Sequence, residues 1–190
     1  GQPPGGGIDS EMRLVAQFYG KHIPGAPSIV PRNMPGAGGL ILGNHLYSVA
    51  KPDGLTLGMP GRSGFVLAPV ISAADTKYDL RKFTWIGSVT DEVSLCVSRH
   101  DSPVKTWNDV LARETTFGGE GAGSDPNIFA LLYRNVFGAK IKIVTGYPGT
   151  NEIQLAIERG EVDGLCGLSW STLKGRYPHW LGERKANILV

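Results

Sequence analysis

Between Thr115 and Ser169 the chain repeats one pattern three times: a short apolar strand, a glycine-bearing loop and a helix. A strand over 115–118 leads through the loop 119–125 to a helix over 127–137, which Gly138 stops. A strand over 141–145 leads through the loop 146–150 to a helix over 151–158 and the turn Arg159-Gly160. A strand over 162–166 leads through 167–169 to a short helix, and 187–190 begins a further strand. Strands alternating with helices indicate a mostly parallel sheet in a three-layer α/β architecture. Ligands of such folds bind outside the carboxyl ends of the strands, where loops run into helix N-termini.

The first half is less regular. Met12, Val15, Ala16, Tyr19 and Ile23 follow the spacing of one helix face; Asp9 or Ser10 can cap that helix, and Pro24-Gly25 stops it. An extended run over 28–33 precedes a helix over 40–50 carrying Leu42, Leu46 and Val49 on one side. Pro52-Asp53-Gly54 forms a turn before a strand over 55–59. A short apolar helix is expected over 64–74, strands over 83–89 and 93–97, and a helix over 107–112 with Thr106 as its cap.

A chain of 190 residues can bury a core in one ordinary domain or two small lobes. Its 27 glycines and 13 prolines cluster between apolar segments, which is loop punctuation in a folded protein. A net charge of +2, without runs of like charge, gives no basis for a nucleic-acid partner or an acidic membrane surface. No apolar stretch approaches the roughly 18 residues that span a bilayer. No signal peptide is visible, because the sequence opens with Gly1-Gln2-Pro3-Pro4, so any export signal is expected to have been removed or to lie outside it. Cys96 and Cys166 are either two small buried residues on strands or, in an oxidising compartment, a disulfide. Neither has the spacing of a zinc site.

The loop Gly119-Glu-Gly121-Ala-Gly123-Ser124-Asp is the strongest local signal. Its glycines let the backbone approach a ligand, and the following helix N-terminus offers unpaired N–H groups and a positive dipole end. It ends in neither Gly-Lys-Ser/Thr nor G-x-G-x-x-G, so nucleotide binding is disfavoured. Gly146-Tyr147-Pro148-Gly149-Thr150 repeats the same physics one unit later, and Tyr147 covers either a ligand or the sheet edge. Pro4 to Asp9 forms a third such loop, where Asp9 reads first as a helix cap. Gly167-Leu-Ser169-Trp-Ser171 and Gly61-Arg62-Ser63-Gly64 approach the nucleophile elbow without completing it. The four histidines lack metal-ligand spacing, and adjacent Asp91 and Glu92 do not form an acid/base dyad.

Several of these segments, in order, resemble the TctC-like (Bug) substrate-binding proteins of tripartite tricarboxylate transporters. They are Pro4-Gly5-Gly6-Gly7-Ile8-Asp9, Asn33-Met-Pro35-Gly36-Ala37-Gly38-Gly39, Pro52-Asp53-Gly54, the loop 118–124, Tyr147-Pro148-Gly149-Thr150 and Gly160-Glu161-Val162-Asp163-Gly164. The resemblance implies a type II periplasmic-binding-protein-like α/β fold of two three-layer lobes, 1–92 and 93–190, which take a small carboxylate or dicarboxylate between them. It implies a periplasmic location, membrane transporter components as partners, and neither enzymatic activity nor a cofactor or metal.

By position, the first lobe would supply Gly6, Gly7, Asp9, Gly61, Arg62 and Ser63. The second would supply Gly121, Gly123, Ser124, Gly149, Thr150 and Ser169. Glu120 stands where the family often has serine, and Pro148 where it often has lysine. A Glu120 side chain turned inward would oppose a carboxylate ligand, so it is expected to face out unless the ligand differs; Arg62 is a candidate compensating cation. Family members have a strand before the first glycine loop and a C-terminal stretch that completes the first lobe. The chain is therefore expected to be truncated at both ends, its first lobe incomplete, with an exposed sheet edge that invites a homodimer. Two other readings remain: a fragment folded as a stable oligomer without transport function, and a serine hydrolase using Ser63 or Ser169.

Overall fold

The computed structural model describes residues 1–71 and 74–190. They form two compact units, 1–89 and 90–190.

The second unit holds a five-stranded sheet in the order β3-β2-β4-β1-β5. The strands are β1 (Ser94–Arg99), β2 (Thr115–Gly118), β3 (Ile141–Val144), β4 (Gly164–Ser169) and β5 (Ala186–Ile188). β2 pairs in parallel with both β3 and β4, while β1 runs antiparallel to β4 and β5. The sheet is thus mixed, with β1 alone reversed.

Two apolar clusters cover its faces. Val97, Leu165 and Leu168 point to one side, where they pack with Ile153, Ile157, Leu173 and Trp180. These come from α6 (Thr150–Arg159), α7 (Trp170–Arg176) and α8 (Pro178–Gly182). Cys96, Phe117, Ile141 and Cys166 point to the other side with Val110 and Ala130. There they meet α4 (Trp107–Ala112) and α5 (Asp125–Phe137). Neighbouring strand residues such as Leu165 and Cys166 take opposite faces, as the two-residue strand period dictates. The result is three layers.

Local signals place these elements well. Thr106 accepts from Asp109 N–H and the Asp109 carboxylate from Thr106 N–H, a reciprocal capping box that starts α4. Gly138 and Gly160 end α5 and α6 in the left-handed conformation. Asp163 accepts from Ser102 Oγ and from Thr116 N–H, ordering the turn into β4. Cys96 and Cys166 are joined as a disulfide across the neighbouring strands β1 and β4.

The first unit contains α1 (Gly7–Tyr19), α2 (Leu40–Ser48) and α3 (Arg62–Ile71). Of the helix expected over 64–74, Ser72 and Ala73 lie outside the described residues. Its core is small: Leu40, Phe65, Ala68 and Tyr78, with Phe65 and Tyr78 stacked at 4.8 Å and Tyr78 Oη donating to Phe65 O at 2.6 Å.

The strands expected over 55–59 and 83–89 do not form. Among the described residues of this unit no strand occurs. An extended segment becomes a strand only when a second extended backbone takes its N–H and C=O groups. Leu55, Val30 and Ile86 consequently stay 86%, 70% and 67% exposed.

Candidate ligand-binding site

The parallel register of β2, β3 and β4 brings the loops that follow them to one edge of the sheet. The first two are fastened together. Gly119 N–H donates to Val144 O at 2.8 Å, Gly146 N–H to Glu120 O at 2.8 Å and Tyr147 N–H to Gly119 O at 3.3 Å. These bonds hold the starts of α5 and α6 as neighbours. Gly167 fits the third strand against them: at its φ of +74° a Cβ would lie 2.7 Å from the backbone of Asp125. Only a residue without a side chain lets the end of β4 approach the first residue of α5 so closely.

Each helix start lacks a conventional side-chain cap. Gly149 precedes α6 and has no side chain to offer, and Ser124 precedes α5 without capping it. Ser124 is buried and turns its hydroxyl to Gly121 O at 2.8 Å, with Asn127 Oδ1 at 3.2 Å. Gly121 and Gly123 shape the intervening turn, Gly123 at a φ of +86°. The first N–H groups of each helix have no intrahelical acceptor, and the helix dipoles favour negative charge there.

Glu120 does not face outward. Its Oε1 accepts from the Thr150 hydroxyl at 3.0 Å, in the first turn of α6. Burial pushes its carboxyl up to about 7, with the Asp125 and Glu152 carboxylates adding to the rise against the opposing Thr150 bond. The outward expectation treated the group as a fixed anion; burial beside two other acids brings its titration up to neutral pH, so that acid and anion are both populated there.

Ser169 ends β4, and its hydroxyl lies 3.2 Å from Thr172 Oγ1. The Glu92 carboxylate takes Ser171 N–H at 3.1 Å and the Ser171 hydroxyl, so it occupies the start of α7. Neither serine hydroxyl of this near-elbow meets a histidine. Tyr147 packs against the cluster containing Ile153 and Leu165.

In the first unit, Gly6 caps α1 and Gly7 is its first residue. Asp9, buried in the first turn, is bonded through both carboxylate oxygens. Its Oδ2 accepts from Gly5 N–H at 2.8 Å and from Arg13 Nε at 2.9 Å, and its Oδ1 from Asn33 Nδ2 at 2.7 Å. The Arg13 bond is the largest influence holding its carboxyl down at about 2, with Gly5 and Asn33 assisting. Asp9 therefore secures the glycine loop to α1 and to the 33–39 segment.

A small cavity of about 50 Å³ lies beside it, lined in part by Gln2, Ile8, Asn33 and Met59. Gly61 is buried against Gln2 and Ile8, and Arg62 and Ser63 open α3. Arg13 and Asn33 were not among the predicted site residues. The Asp9–Arg13 spacing of four within a helix was the available signal. Asn33, 24 residues from Asp9, gave none.

Among the described residues no three His, Cys, Asp or Glu side chains are grouped to hold a metal ion. No helix there is long and apolar enough to cross a membrane.

No family model matches the chain. A UPF0065 protein of Bordetella bronchiseptica is 29% identical over 181 residues, covering 90% of this chain and 52% of the relative. The structure of the periplasmic binding protein BugD superposes over 100% of this chain and 62% of its own, at a TM-score of 0.79 and 20% identity. MatC from Rhodopseudomonas palustris, solved with bound malate, superposes over 100% of this chain and 63% of its own, at 0.77 and 24% identity. In sequence the chain is similar to a UPF0065 protein, and in fold to the Bug-type binding proteins.

It spans about half the length of the curated relative it matches. The fold is that of the Bug-type proteins, and the similar structures named here are solute-binding proteins. Of the residues assigned by the resemblance, Gly121, Gly123, Ser124 and Gly149 lie on the two fastened loops, with Thr150 opening α6 and Ser169 ending the adjoining strand. In the first unit Gly6, Gly7 and Asp9 stand together at the start of α1, and Gly61 lies against Gln2 and Ile8. The departure at Glu120 falls directly on Thr150, a residue the family resemblance had assigned to the ligand.

Proposed function

We propose that this chain forms the ligand-capturing part of an extracytoplasmic solute-binding protein that takes a small carboxylate or dicarboxylate. The observation that carries this reading is the bond from Gly146 N–H to Glu120 O, which couples two uncapped helix starts. Two helix dipole ends directed to one edge favour an anionic group without requiring a lysine or arginine. The malate held by MatC supports a dicarboxylate as the class. The reading extends to Gly6, Gly7, Gly61, Arg62 and Ser63 as the first unit's contribution. The periplasm is its location, and the membrane components of a tripartite tricarboxylate transporter are its partners.

The test is a thermal-melting screen with malate, succinate, glutarate and adipate. A ligand at a hundredfold excess over its Kd adds about 2.7 kcal/mol to stability, enough to raise the melting temperature by several degrees. If none of the four acids moves the transition, the reading falls.

The exposed Leu55, Val30 and Ile86 favour one further reading, in which extended segments of the first unit pair with those of a second copy. Sedimentation equilibrium decides it: a dimer is expected, and a monomer across the accessible concentration range removes this reading.

A further inference from the structure

The fastening of the two loops turns the Glu120 side chain toward the first turn of α6, where Thr150 donates to Oε1. Because the Thr150 hydroxyl donates to Oε1, a proton on this carboxyl belongs on the other oxygen, Oε2. The charged groups acting on it are Asp125, from the start of α5, and Glu152, from the first turn of α6, and both are acidic. An ionised Glu120 would place a third negative charge at the edge where a carboxylate ligand is to bind. A protonated Glu120 reverses the sign of that contact, because a carboxylic acid has an O–H to donate while a carboxylate only accepts. Donation from a carboxylic acid to a carboxylate is a charge-assisted bond, the stronger class.

Resting on the carboxylate-capture reading above, we propose that Glu120 determines specificity in this site: its protonated carboxyl donates Oε2–H to the ligand carboxylate, so each ligand is captured together with one proton. The proton comes from the solvent buffer, and no covalent bond changes. Free Glu120 titrates near pH 7, as its burial dictates. Below that point the proton is already present. Above it, binding must recruit one, and affinity falls by up to about tenfold for each further pH unit. The site thereby prefers carboxylates over neutral solutes of the same shape and holds them most tightly in mildly acidic surroundings.

Titration calorimetry of the full chain tests this with malate, succinate, glutarate and adipate. It is run from about pH 6 to about pH 8.5 in paired buffers of different ionisation enthalpy. The expected result is uptake approaching one proton per ligand at the alkaline end, with affinity declining there. Glu120→Gln, which keeps a neutral donor, is expected to bind without proton uptake and with a flat pH profile. Binding without proton uptake by the unsubstituted chain at the alkaline end, or an unchanged pH profile in Glu120→Gln, overturns the role of Glu120 and leaves carboxylate capture standing. Absence of binding by all four acids at every pH removes the capture reading, and the role of Glu120 with it.

Discussion

The Thr150 hydroxyl donates a 3.0 Å hydrogen bond to Oε1 of Glu120, tying the first residue of α6 to the loop that follows β2. Thr150→Val keeps the side-chain shape and removes the donor. Because the bond is to a partly buried acid, its loss is expected to cost on the order of 1 kcal/mol in urea denaturation at neutral pH. It also removes the one hydrogen bond that pulls the Glu120 pKa down, so a carbon-detected NMR titration should show the midpoint moving upward from about 7.

Glu120 also makes stability depend on pH. Its folded pKa, about 7, lies above the ordinary 4.5, so the native state holds a proton that the unfolded chain has released. Stability therefore falls as pH rises between those two values and stays low above them. Glu120→Gln is expected to be more stable than the parent at pH 8 by on the order of 2 kcal/mol, with the difference vanishing toward pH 4. Urea midpoints across that range check it.

Asp9 has the opposite sign. Its carboxyl is held at about 2, below the ordinary 3.8, first by Arg13. The stabilisation it gives the first unit is present above the unfolded value and is lost as pH falls through the folded one. Asp9→Asn is expected to lower the unfolding midpoint of that unit at neutral pH and to remove this contribution to its acid transition between about pH 4 and pH 2. Circular dichroism against pH, parent beside variant, measures both.

The Cys96–Cys166 disulfide closes a separation of 70 residues within the second unit. Reduction is expected to destabilise that unit by about 2–5 kcal/mol. Intact mass under non-reducing conditions should show the chain 2 Da lighter than its reduced form, about one hydrogen per sulfur. Guanidinium unfolding with and without reductant gives the energy.

Gly167→Ala would bring a methyl group to within 2.7 Å of the Asp125 backbone, at a φ of +74° that also strains any side chain. Neither contact can be relieved by a rotamer change. A loss of at least about 2 kcal/mol is expected, with the start of α5 displaced. Chemical-shift changes centred on 124–127 would locate the displacement.

Much of the second unit was legible because its signals are local. The strands near 115–118 and 141–145, the Thr106 cap and the stop at Gly138 each depend on residues within a turn or two of one another. The extended run over 55–59 failed as a strand for the converse reason. Its apolar alternation is genuine, but strand formation requires a partner that 55–59 does not contain.

The site divides along the same line. The residue order alone determined the α/β class, the glycine loops, the helix starts behind them and the family they resemble, since each follows from short-range spacing. Tertiary structure alone decided that β1 runs against its neighbours, that Cys96 meets Cys166, that Asn33 closes on Asp9, and that Glu120 turns inward to Thr150. The last three contacts join residues 24 to 70 positions apart. Burial and the surrounding charges, which no sequence window contains, then set whether a carboxyl such as Glu120 is an anion or an acid.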